Sequence, residues 1–124
     1  MIVRYSKVRA YQGQESDLSF TLGKKYLVLG ARFQSEGRPA MVVIRRDSDG
    51  TPVLAEFHCF SIVDPVIPAD WCLVDFGNGS YGLEPKEFAG EFWDHFHDGD
   101  PDAEKTFEQV VKKLEAIART EAAE

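Results

Sequence analysis

The stretch KKYLVLGARFQSEGRPAMVVIRRD, residues 24–47, decides how the chain is read. Residues 24–33 are a β-rich run after a turn signal at Leu22-Gly23, and residues 39–47 are a second apolar run. The five polar residues between them, 34–38, have the length of a hairpin connection. Working outward, Asp47-Ser48-Asp49-Gly50 is a turn, with Gly50 suited to positive φ. Residues 53–64 (VLAEFHCFSIVD) mix alternation with an apolar patch and favour a strand over a helix. Pro65 and Pro68 bracket a bend. Residues 70–76 and 80–84 are two more extended segments, joined by the turn Gly77-Asn78-Gly79. On the N-terminal side, residues 3–11 read as extended and residues 12–17 as a polar loop.

The grammar changes after Glu84. Residues 85–97 predict one short helix, with Phe88, Phe92 and Phe96 at i, i+4 and i+8. Asp98-Gly99-Asp100-Pro101 breaks it. A second helix is expected from Pro101 to near Thr120. Asp100 suits its N-cap, Pro101 its first position, and Asp102 and Glu104 its positive end. Phe107, Val110, Val111, Leu114, Ile117 and Ala118 form its apolar stripe, and residues 121–124 a short polar tail. The expected fold is therefore α+β and mainly β. A small antiparallel twisted sheet or partly open barrel of about five strands (residues 1–84) is covered by a helical C-terminal region (residues 85–120). The helix would shield the sheet's apolar face and edges.

The chain has 124 residues, 44% of them hydrophobic and 28% charged, which fits one globular domain spanning residues 1–124. No apolar run approaches the roughly 20 residues of a membrane span, so no membrane association is expected. Arg4, Lys7 and Arg9 interrupt the first apolar residues, so residues 1–10 lack a signal-peptide core and a cytoplasmic location is expected. The two cysteines, Cys59 and Cys72, sit among apolar neighbours and outside any CxxC, as reduced packing residues do. A net charge of −7 argues against binding nucleic acid through its phosphates. The same charge attracts a basic protein.

The sequence completes no catalytic pattern. No GxSxG occurs, and GNGSYG (residues 77–82) lacks the Lys-Ser/Thr of a phosphate loop. No carboxylate pair stands out for glycoside chemistry. His58 and Cys59 adjoin in a segment read as strand, where neighbours point to opposite faces. DHFHDGDPD, residues 94–102, brings His95 and His97 together with carboxylates. On a helix two such histidines diverge by about 200°, and Ala103 stands where an EF-hand loop needs glycine. Capping explains the aspartates, so no enzyme activity, cofactor or metal is expected.

Residues 71–104 hold seven aromatic residues and one basic residue, Lys86. Between Glu84 and Glu104 there are eight acidic side chains. Trp71, Tyr81 and Trp93 read either as core or as interface anchors of the kind common in protein complexes. The expected partner-binding set is Tyr81, Glu84, Glu87, Glu91, Trp93, Asp94 and Asp98, with Trp93 as anchor.

Residues 20–30 (FTLGKKYLVLG), Phe60-Ser61-Ile62-Val63-Asp64 with Ile67-Pro68-Ala69-Asp70-Trp71, Leu83-Glu84-Pro85-Lys86-Glu87-Phe88 and Phe92-Trp93-Asp94 together resemble the small single-domain immunity proteins of bacterial toxin systems, of the contact-dependent inhibition and polymorphic toxin type. The similarity spans nearly the whole chain. It implies an SH3-like barrel with a C-terminal helix, and a cytoplasmic inhibitor that binds one cognate toxin domain; a monomer or weak dimer is expected. Binding residues in this group differ from member to member, so none transfers by position. A protein-interaction or regulatory module without a toxin, and a small-molecule or metal-binding protein, remain as alternatives.

Overall fold

A computed structural model describes residues 1–8 and 19–122, and the side chains up to residue 118. The expected loop at residues 12–17, and the continuation of the first strand to residue 11, lie outside the described residues. Eight strands are found among the described residues: β1 (Ile2–Tyr5), β2 (Lys25–Leu27), β3 (Gly30–Phe33), β4 (Met41–Arg45), β5 (Pro52–Glu56), β6 (Phe60–Asp64), β7 (Trp71–Gly77) and β8 (Ser80–Pro85). They form two antiparallel sheets, one in the order β2-β1-β6 and one in the order β5-β4-β3-β8-β7. Two helices follow, α1 (Phe92–His97) and α2 (Pro101–Ala122). The fold is α+β as expected, with open sheets and a long C-terminal helix.

Two runs that read as single strands each serve both sheets. Residues 24–33 divide at Val28 and Leu29, both 1% exposed. The Val28 amide donates to the Met1 carbonyl at 3.0 Å and the Leu29 amide to the Val43 carbonyl at 2.8 Å. Consecutive amides on one strand point opposite ways, so here one bonds toward each sheet, as at a sandwich corner. Residues 53–64 divide at a 3₁₀ turn, Phe57–Cys59. The Phe57 amide donates to Ala40 on the five-stranded side, and the Cys59 carbonyl accepts from the amides of Ser6 and Lys7 on the three-stranded side. These two divisions turn the six extended segments read from the sequence into eight strands.

The core gathers where the two sheets and α2 meet. Val3, Val42 and Ile44 are fully buried, and Tyr5, Phe20, Tyr26 and Phe60 nest together with ring centroids 5.2–6.3 Å apart. Helix α2 buries Ala103, Phe107, Val110, Val111 and Leu114, the face its 3.6-residue period marks out. Its start is capped as expected, since the Asp102 amide donates to Asp100 Oδ1 at 3.0 Å. Arg45 pins it from β4 by pairing with Glu108 at 3.1 Å, and Lys113 pins it from the other side by pairing with Asp70 at 2.7 Å.

The single helix expected at residues 85–97 is corrected. Strand β8 continues to Pro85, a 3₁₀ turn follows at Lys86–Phe88, and α1 starts only at Phe92. Gly90, at φ +69°, re-aims the chain between them. The aromatic spacing survives the break: Phe88 stacks on Phe92 at 4.7 Å, and Phe92 on Phe96 at 6.0 Å.

Candidate functional site: an acidic helical corner beside an apolar sheet ledge

The seven residues singled out by sequence separate into distinct environments. Glu91, Asp94 and Asp98 are exposed on and around α1, and Asp102 and Glu104 extend this acidic corner onto the first turn of α2. Between residues 91 and 104 the chain carries six carboxylates and no lysine or arginine. His95 is the local cationic candidate, 3.7 Å from Glu91 and 3.9 Å from Asp100. His97 instead stacks on Trp93 at 6.0 Å. The two imidazoles therefore face different neighbours, as their spacing on a helix requires.

Glu84 departs from its expected place on an exposed face. It is 4% exposed, and its Oε2 accepts from Trp93 Nε1 at 3.4 Å and lies 3.8 Å from the Arg32 guanidinium. Burial raises its carboxyl above the usual value, while the Trp93 hydrogen bond and the Arg32 charge pull it back only in part. Trp93 is likewise drawn inward. It is half-buried, with its ring 4.9 Å from Phe88, 5.1 Å from Phe92 and 5.7 Å from Phe96. Its polar end is committed to Glu84, so its first task is to dock α1 on the sheet. Glu87 is also partnered, with Oε2 3.3 Å from Lys113 Nζ.

Tyr81 lies on the β7–β8 hairpin, away from the acidic corner in sequence and among different neighbours. A bulge in β7 leaves Phe76 as the extra residue between the Asp75–Tyr81 and Gly77–Ser80 pairs. The Phe76 ring crosses the strand over Gly82, where an added Cβ would lie 2.6 Å from Phe76 Cε2. Arg32 lies over this ring with its guanidinium carbon 4.4 Å from the centroid. Phe33, Leu54, Phe76 and Tyr81 are all more than 40% exposed and, with Arg32 and Met41, line a shallow depression of about 160 Å³. Trp93, Glu84, Arg32 and Phe76 thus connect the base of the acidic corner to this ledge through successive contacts.

A third feature was not singled out from sequence. Lys24, Lys25, Arg45 and Arg46 line a groove of about 330 Å³ beside Val111 and Glu115 of α2. Most of its charge is satisfied locally. Lys24 pairs with Asp47 at 2.8 Å, and Arg46 grips Asp49 with two 2.7 Å hydrogen bonds. Burial pushes the Asp47 carboxyl up, but hydrogen bonds from Lys24, Thr21 and Tyr26 outweigh it and hold the group below its usual range. Contacts between Asp47 and residues 21–26, 21 or more positions away, are not visible in sequence spacing.

Among the described residues, no helix is long and apolar enough to cross a membrane. No protein-family model, curated protein or solved structure matches this chain.

Proposed function

We infer that this protein is a cytoplasmic immunity protein, binding and neutralising a basic toxin domain. The reading rests on the resemblance above. The observation that carries it is the exposed set Glu91, Asp94, Asp98, Asp102 and Glu104 on the α1–α2 corner, in a stretch with no lysine or arginine. Carboxylates there occupy the space that substrate phosphates would fill in a nuclease cleft, neutralise its lysines and arginines, and exclude substrate. The protein itself performs no turnover. Trp93 serves from below: by holding α1 against Glu84 it fixes the directions in which Glu91 and Asp94 project.

Affinity capture from the native organism with mass spectrometry identifies the partner. The Glu91→Lys/Asp94→Lys double variant is then compared with the parent protein by stopped-flow association. Both positions are exposed, so folding is expected to stay intact. Steering predicts that the double variant associates about tenfold more slowly at low salt, with the difference shrinking as salt screens the charges. An undiminished on-rate with full protection sinks the acidic-corner mechanism.

A second reading, an interaction module with no toxin involved, is favoured by the exposed aromatic ledge around Phe76 and Tyr81. Protection from hydrogen exchange confined to residues 71–85 in the complex would select it.

A further inference from the structure

The chain turn that carries β5 of one sheet into β6 of the other brings together side chains of metal-binding type. Glu56, His58 and Cys59 each offer a ligand atom within 4.8 Å of the others, the one such group among the described residues. The sequence places His58 and Cys59 on opposite faces of a strand, but that ground disappears because residues 57–59 form a 3₁₀ turn. Cys59 Sγ lies 3.8 Å from His58 Nδ1, and Glu56 Oε2 lies 3.0 Å from His58 Nε2.

The geometry points to a site for a borderline-soft divalent cation of the Zn(II) type, bound by the Cys59 thiolate and His58 Nδ1, with Glu56 fixing the imidazole. Bonds of about 2.0 and 2.3 Å on a tetrahedral centre put nitrogen and sulfur roughly 3.5 Å apart, so the observed pair needs to close by only a few tenths of an ångström. One imidazole cannot give both nitrogens to the same ion. With Nδ1 on the metal, Nε2–H donates to the Glu56 carboxylate, the carboxylate–histidine–metal arrangement that sets tautomer and ring orientation. Thiolate and imidazole select Zn(II) or Co(II) over the oxygen-seeking Mg(II) and Ca(II). The turn is held from both sides, by Phe57 to Ala40 and by Ser6 and Lys7 to the Cys59 carbonyl, which limits the reorganisation that binding requires. Cys59 is buried while the His58 side chain is 55% exposed, so the ion sits at the boundary between core and surface. Binding releases the thiol proton to solvent, with no change of oxidation state.

The test uses the full chain without a histidine tag and with Cys72→Ser, because Cys72 is an exposed thiol that would bind metal on its own. Titration with Co(II) is expected to give a thiolate-to-cobalt charge-transfer band saturating at one equivalent, which Zn(II) then displaces. His58→Ala, at an exposed ring, should keep its melting temperature and lose the band. Cys59→Ser should lose it too. Glu56→Gln should bind roughly 10- to 100-fold more weakly. No charge-transfer band in the Cys72→Ser protein, or a band unchanged in folded His58→Ala, overturns the site. Unchanged affinity in Glu56→Gln overturns the role given to the carboxylate.

Discussion

Two aromatic nests hold this protein together, and they are built from similar residues to different effect. Tyr5, Tyr26 and Phe60 of the three-stranded sheet cluster with Phe20, all 8% exposed or less. Phe88 and Phe107 are as deeply buried in the second nest, yet Phe92, Trp93 and Phe96 around them are only half-buried. The first nest is carried by the three mutually hydrogen-bonded strands β2-β1-β6, with Phe20 added from the segment before β2. The second depends on a six-residue helix that stacks on one side of α2 and the β8 end. A helix that short has little stability of its own, so side-chain contacts alone keep it in place. The acidic corner consequently stands on the less secure of the two nests, where local opening is cheapest.

Replacing Leu114, 3% exposed on the inner face of α2, by Asp should have the largest effect. A buried unpaired carboxylate is expected to cost about 4 kcal/mol or more, a large share of a small domain's stability. Urea unfolding followed by circular dichroism checks this. An unchanged midpoint would show that α2 does not bear on the core.

The two nests are compared directly by Phe60→Ala and Phe92→Ala. Phe60→Ala should destabilise by about 3–5 kcal/mol, as deeply buried aromatic truncations do. Phe92→Ala should cost about 1–2 kcal/mol, in keeping with partial burial of the ring. Equal losses in denaturant midpoint would show that the two nests do not differ in their hold on the fold.

Glu84 gives a smaller, pH-dependent effect. Its folded carboxyl is raised above the ordinary 4.5, chiefly by burial, so the folded chain holds this proton more tightly than the unfolded chain. The stabilisation is fully present below the ordinary value and is lost as pH rises through the raised one. Asp47 and Asp70 run the other way. Hydrogen bonding to Lys113 lowers Asp70, and both lowered groups contribute above the ordinary 3.8 and lose that contribution as pH falls. Glu84→Gln should therefore gain on the parent protein as pH rises from mildly acid to neutral. A stability difference that is flat with pH would show that the Glu84 carboxyl is not raised in the folded chain.

The smallest effect is expected at the ledge. In Gly82→Ala the new methyl meets the Phe76 ring, which is exposed enough to swing outward. Stability should change by no more than about 0.5 kcal/mol. The Arg32 side-chain protons should lose the upfield NMR shift caused by the ring. Retention of that shift would mean the stack tolerates the methyl and that Gly82 is not required for it.

Much of this architecture is written locally in the chain. Turn residues at 47–50 and 77–80, the alternating apolar runs and the Asp100-Pro101 helix start act over a few residues, and each stands where its chemistry puts it. The stripe from Phe107 to Leu114 is legible for the same reason, because one long helix has one period. The exposure of Glu91, Asp94 and Asp98 also follows from their charge.

Partition between sheets is different, since a period-two pattern looks the same whichever sheet a strand joins. Two successive buried residues, Val28 and Leu29, were the one local sign of the division in residues 24–33. Gly90 was visible, but the Phe88, Phe92, Phe96 spacing fits a continuous helix as well as the broken one that forms. Glu84 reads as a surface acid until Trp93 and Arg32, 9 and 52 positions away, converge on it. His58 and Cys59 meet only because the chain turns between sheets. Sequence determined the extended segments, the turns at 47–50 and 77–80 and the long helix from Pro101, since those preferences are local, but not the 3₁₀ turns at residues 57–59 and 86–88. Tertiary structure alone decided which carboxylate is buried, which aromatic is exposed and which side chains meet, because those outcomes depend on contacts between distant parts of the chain.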